Sequence, residues 1–148
     1  MGRRVLKQTD DCIAKGLLRK VPPSAQQARL GLKKSKELLL EAQKALKASL
    51  HNSATMAAYA AMLDATRAIL AKDGWREKSH YCTTQYLWEH YENAFGQNTL
   101  ELFELYRDER HRTQYSAEYY ATAESSAKMV AFAANFIEKA EKIIMEQE

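Results

Sequence analysis

Glycine and proline are scarce in this chain, with five and two among 148 residues. That scarcity excludes turn-rich β-sandwiches and barrels, collagen-like repeats and flexible low-complexity linkers. No run of about 18 apolar residues is present to span a bilayer, and the opening MGRRVLKQTDD has no apolar stretch of the kind a secretory signal needs. The expectation is a cytoplasmic protein without a membrane association. Cysteine occurs twice, at Cys12 and Cys82. Neither sits in a CxxC pair nor near histidines at zinc spacing, so no metal site and no cofactor are expected. Both are read as reduced thiols, one or both buried.

What is abundant is Ala, Leu, Lys, Glu and Gln, the residues that favour helix. The net charge of +3 is unevenly distributed. Residues 1–50 hold 12 Lys+Arg against 4 Asp+Glu, and the rest holds 10 against 15. The basic part is either a solvated helix face or a surface for an acidic partner or a nucleic acid backbone.

Apolar residues recur at spacings of three and four along five segments. Thr9 and Asp10 are candidate N-caps of a short helix through Cys12 and Ile13 that Gly16 ends, and Pro22-Pro23 forbids its continuation. Ser24 caps a long helix over roughly 25–50, and His51-Asn52-Ser53 caps a second that runs to Asp73-Gly74. The alanines of this second helix allow close packing, so the two should form an antiparallel hairpin. Ser79 caps a third helix that Gly96 stops after Phe95, and Asn98 or Thr99 caps a fourth. Residues 116–121 read as a loop, and Thr122 opens the last helix. The predicted fold is all-α: an up-and-down bundle of four to five helices over 24–148, with a short helical appendage over 1–23.

Three stretches, in this order, carry a resemblance. They are LLRKVPPSAQQARLGLKKSKELLLEAQKAL, then YAAMLDATRAILAKDGWREKSHYCTTQYL with Lys78-Ser79-His80 after its glycine turn, then RDERHRTQY before a Thr-capped, alanine-rich last helix. Together they resemble the HEPN family, in its small stand-alone prokaryotic branch. The resemblance implies a homodimer, often paired with a minimal nucleotidyltransferase in toxin–antitoxin-type modules. In many members it also implies a metal-independent ribonuclease whose signature is an Arg followed by a His after four to six residues. There the ribose 2′-OH attacks, His moves a proton and Arg stabilises the charged transition state.

No histidine here fits that spacing. His111 follows Arg107, and His80 follows Arg76, with only three residues between. Aligning Arg110 with the family's arginine puts Tyr115 at the histidine position, and a phenol with pKa near 10 is a poor acid or base at neutral pH. Three readings of RDERHRTQY remain. It is a solvated charged face with Arg107, Arg110, His111 and Arg112 paired to Glu104, Asp108 and Glu109; or a groove in which Arg110, Tyr115 and Arg112 bind a nucleotide, RNA or a partner protein without cutting. In the third, Arg107, Arg110 and His111 form an atypical catalytic site. Tyr115, Tyr119 and Tyr120 also present hydroxyls to a modifying enzyme. His80 is read as a structural hydrogen-bonding residue, and Trp75, Trp88, Tyr86 and Tyr91 as core or helix-interface aromatics. The functional expectation is a helical partner subunit of a nucleotidyltransferase with little catalysis of its own, the alternative being a ribonuclease toxin.

Overall fold

The computed structural model describes residues 9–146; residues 1–8 of the expected appendage and the last two residues lie outside that range. The described residues form six helices and one two-stranded ribbon: α1 (9–14), β1 (Leu18–Lys20), α2 (Ala25–Lys47), α3 (His51–Asp73), β2 (Trp75–Glu77), α4 (His80–Phe95), α5 (Gln97–Tyr115) and α6 (Ala123–Glu146). It is an all-α bundle.

Local hydrogen bonds explain most of the boundaries. Ser24 Oγ accepts from Gln27 N–H at 3.0 Å and Ser79 Oγ from Cys82 N–H at 3.3 Å, each satisfying a donor that the first turn leaves open. At α6, Thr122 and Ser125 exchange side chain–backbone bonds of 2.9 Å in both directions, a reciprocal cap. Three expected caps are not used as such. Thr9 lies inside α1, and its hydroxyl donates to the Gln85 carbonyl. Leu50 is the N-cap of α3, while Asn52 Oδ1 accepts from Ala121 N–H at 2.8 Å and so ties the start of α3 to the start of α6. Gly96 caps α5, and Thr99 Oγ1 accepts from Lys139 Nζ instead.

Helix α3 is the centre of the molecule. Twelve of its residues are buried, from Ala54 to Leu70, round most of the helix, and alanines share the remaining face with Asp64 and Arg67, so its amphipathic pattern is weak. Small residues let α2 close on it. A Cβ at Gly31 would stand 3.1 Å from Ala68 Cβ, and Ser35 Oγ donates to the Ala61 carbonyl at 2.7 Å. Because Gly31 meets Ala68 and Ser35 meets Ala61, the two helices run antiparallel. On the other side Phe103, Phe136 and Phe95 interlock, with centroids 4.6 Å apart for Phe103–Phe136 and 4.7 Å for Phe95–Phe136. Trp88 Nε1 donates to Glu104 at 2.9 Å across the α4–α5 pair.

Two features were not anticipated. β1 and β2 pair antiparallel in the register Leu18↔Glu77, Arg19↔Arg76 and Lys20↔Trp75. The ribbon follows from the turn at Gly74, whose φ of 95° suits a residue without Cβ, and a Cβ there would meet the Val21 carbonyl at 2.8 Å. Val21 N–H in turn donates to the Gly74 carbonyl at 2.9 Å. β2 therefore turns back along α3, with the Glu77 carboxylate reaching Arg67, before α4 begins. The second feature corrects the expectation of reduced thiols: Cys12 and Cys82 form a disulfide across 70 residues of sequence. It staples α1 to α4 inside a small second cluster with Leu18, Leu70 and Tyr86.

That bond closes a loop long enough to be worth about 4 kcal/mol through the entropy of the unfolded chain. Cys12→Ser, or full reduction, is expected to lower the unfolding free energy in urea by that order. A shift below about 1 kcal/mol would show that the second cluster holds α1 without it.

Candidate functional site

The second half of α5, which carries RDERHRTQY, faces the first turn of α4 and the first half of α3. The pairings His80–Arg110 and Trp88–Glu104 show that α4 and α5 run antiparallel. Ser79, fixed as the cap of α4, places His80 at the helix start, and the return of β2 sets that start beside Tyr59 of α3. The His80 and Tyr59 ring centroids are 6.2 Å apart.

Arg110 fills the space between them. Its Nη1 donates to Gln114 Oε1 at 2.7 Å, one turn on. Its Nη2 lies 3.3 Å from His80 Nδ1, and its Cζ stands 5.1 Å from the centroid of Tyr59. The Nε of Arg110 is buried without a hydrogen-bond partner among the described residues, and so is the Tyr59 hydroxyl. Tyr59 is 2% exposed and stacks on Phe103 at 5.6 Å. Burial pushes its phenol up to about 12, against the opposing pull of Arg107, Arg110 and Arg67. His80 moves the other way. Burial first, then the charges of Arg110, Arg67 and Arg107, hold its imidazole below the usual value, with Glu77 opposing.

The remaining candidates of α5 point elsewhere. Arg107 lies over the half-exposed Tyr81 ring, 5.8 Å from its centroid, and 3.9 Å from Asp108. His111 packs against Tyr115 at 4.7 Å on the solvent side, and Tyr115 is 65% exposed. Arg112 stands 5.0 Å over Tyr119, whose hydroxyl donates to Glu109 at 3.3 Å. The expected groove of Arg110, Tyr115 and Arg112 is thus divided among three sets of neighbours. The expected pairing of Glu104 with the arginines is replaced by its bonds to Trp88 and Gln85. The atypical trio is divided too, with Arg107 engaged by Tyr81 and Asp108, and His111 by Tyr115.

Two residues complete the constellation that the sequence pattern did not assign to it. His80 forms the hydrogen bond expected of it, but its partner is Arg110, thirty residues away. Tyr59 stands in the sequence as one apolar position of the second helix. The local signal available was Lys78-Ser79-His80, a histidine placed just after a cap. Arg67 and Glu77 also line a cleft of about 460 Å³, together with Gln27, Trp75 and Arg76 among others. Among the described residues no three of His, Cys, Asp and Glu gather as metal ligands would, and no helix is long and apolar enough to cross a membrane.

Comparison with known families bears out the resemblance that the three sequence stretches carry. The family model for the HEPN domain matches residues 28–143, and the chain belongs to that family. No curated protein matches it. The family is one of helical domains linked to ribonuclease and nucleotide-related functions.

The depressed imidazole has a consequence for stability. Between the folded-state pKa of His80 and about 6.5, the unfolded chain binds more protons than the folded one, so this group's contribution is present above pH about 6.5 and lost as pH falls. Wild-type protein is expected to lose unfolding free energy on acidification through that window, and His80→Gln to lose less. Equal acid sensitivity of the two, read by urea titration at several pH values, would contradict the half-buried neutral imidazole.

Proposed function

We propose that this HEPN-family chain is a binding subunit that acts through a partner enzyme, a minimal nucleotidyltransferase in a toxin–antitoxin-type module, and has little or no catalysis of its own. The supporting observation is the division of the motif region. Arg110, aligned with the family's arginine, is held inward by His80, Gln114 and the Tyr59 ring. Tyr115, which stands where the family's histidine falls, projects into solvent against His111. A proton-transfer group is therefore not presented at the motif position. The loss of such a transfer typically costs about 10²–10⁴-fold in rate.

The exposed Tyr115, Tyr120 and Leu105 at this end of the molecule favour association with another protein, including a second copy of the chain. A ribonuclease built on Arg107, Arg110 and His111 is the alternative. It requires Arg107 to leave Tyr81 and His111 to leave Tyr115.

Purified protein is expected to leave a mixed RNA substrate uncut while co-purifying with a co-expressed minimal nucleotidyltransferase and sedimenting as a dimer when alone. Arg110→Ala is expected to weaken that complex. RNA cleavage by the pure chain that His111→Ala abolishes would establish the alternative, and absence of the complex would remove the partner role.

A further inference from the structure

We propose that the Cys12–Cys82 bond is a redox latch: a dithiol reductant opens it, and α1 then leaves the face of α4 that it covers while the rest of the bundle stays folded. This goes beyond the partner role proposed above and does not rest on it.

The way α1 is held is the first support. Of its six residues only Thr9 and Cys12 are buried, and Ile13, its one large apolar residue, is 41% exposed. The Asp11–Lys15 ion pair and the bonds from Gly16 N–H to the Ile13 carbonyl and from Leu17 N–H to the Cys12 carbonyl close within the turn itself. Across to α4 run the disulfide and the Thr9 hydroxyl, which donates to the Gln85 carbonyl at 3.5 Å, the long end of the hydrogen-bond range. A helix of less than two turns does not persist in water by itself, because ordering its backbone costs more than the burial of one thiol side chain returns.

A hinge and a stop define what can move. The Leu17 carbonyl accepts from Lys78 N–H at 2.9 Å, and Leu18 opens the ribbon, so the chain is anchored from residue 17 onward. Gly16 precedes that anchor with φ 74°, and a Cβ there would meet nothing within 4 Å. Its freedom of conformation and the open space around it let residues 9–16 swing away from α4.

The division of the core is the third support. Both cysteines belong to the small cluster with Leu18, Leu70 and Tyr86, and neither to the large cluster that joins α2 to α6. Opening the bond loosens the small cluster at its edge and leaves the large one closed, which is a local opening and not global unfolding. The face of α4 that α1 leaves carries the Cys82 thiol and the Tyr86 ring.

The chemistry is thiol–disulfide exchange. One thiolate of the dithiol attacks a sulfur of the Cys12–Cys82 pair; that S–S bond breaks as a mixed disulfide forms. The second thiolate of the reductant then displaces the remaining cysteine. Two electrons pass to the protein, the dithiol leaves as a cyclic disulfide, and two protons end on the Cys12 and Cys82 thiols. Both sulfurs belong to residues at most 3% exposed, so attack proceeds through the opened position of α1.

The test uses the full chain, oxidised with oxidised glutathione and then treated with millimolar dithiothreitol at neutral pH. Amide hydrogen exchange over residues 9–16 should quicken at least about ten-fold on reduction, while α3 and α6 keep their protection and circular dichroism stays helical. Once the reductant is removed, the Cys12 thiol should react with a maleimide within about ten-fold of the rate of free glutathione. Under a docked α1 it would wait for global unfolding and react about 10³-fold more slowly or worse. Reoxidation should restore slow exchange, and Cys12→Ser and Cys82→Ser should each exchange fast at 9–16 with or without dithiothreitol. The proposal is overturned if the bond does not form under oxidised glutathione or resists dithiothreitol in the folded protein. Exchange at 9–16 that reduction leaves slow, slow exchange in both serine variants, or loss of the whole helical signal together with the bond would each overturn it as well.

Discussion

The left-handed turn at Gly74 is the constraint from which the arrangement of the functional end follows. Helix α3 must stop there, because the next residue's conformation is one that a side chain resists and the Val21 carbonyl occupies the place of a Cβ. The chain then pairs with β1, travels back beside Arg67, and releases α4 at Ser79 with its first turn over Tyr59. Had the chain turned directly into α4, the start of that helix would lie at the opposite end of α3 and His80 would not reach α5. A single backbone position thus decides which imidazole the arginines of α5 meet.

Much of the bundle was legible because its causes are local. Ser24, Ser79 and Thr122 are caps whose hydrogen bonds close within three residues, and the burial of α2 and α6 follows a regular helical stripe. What escaped the sequence reading depends on distant partners. Strands of three residues are too short for alternation to register. Cys12 meets Cys82 only because β1 and β2 bring α1 onto α4, and nothing in the spacing of two isolated cysteines reports that. Asn52 looks like a cap in sequence and is used instead to bind Ala121, 69 residues on.

The same limit governed the site. On α5 alone no arginine is followed by a histidine after four to six intervening residues. The structure brings a histidine to Arg110 from another helix, through a neutral imidazole whose Nδ1 accepts from the guanidinium. Burial and three arginines stabilise that neutral form together, so the contact and the depressed pKa have one physical origin. The motif's exposed members, His111, Arg112 and Tyr115, gain little by proximity in sequence, since each is engaged by a different aromatic or by solvent.

Arg110 and His80 act as one unit, and a double-mutant cycle measures how strongly. Unfolding free energies of wild type, Arg110→Gln, His80→Gln and the double variant at about pH 8, where the imidazole is neutral, give the coupling between the two side chains. A favourable coupling of about 1 kcal/mol is predicted, in line with a partly exposed hydrogen bond from a charged donor, and it should shrink as pH falls below about 6. Additive effects within about 0.3 kcal/mol at every pH would show that the two side chains act independently.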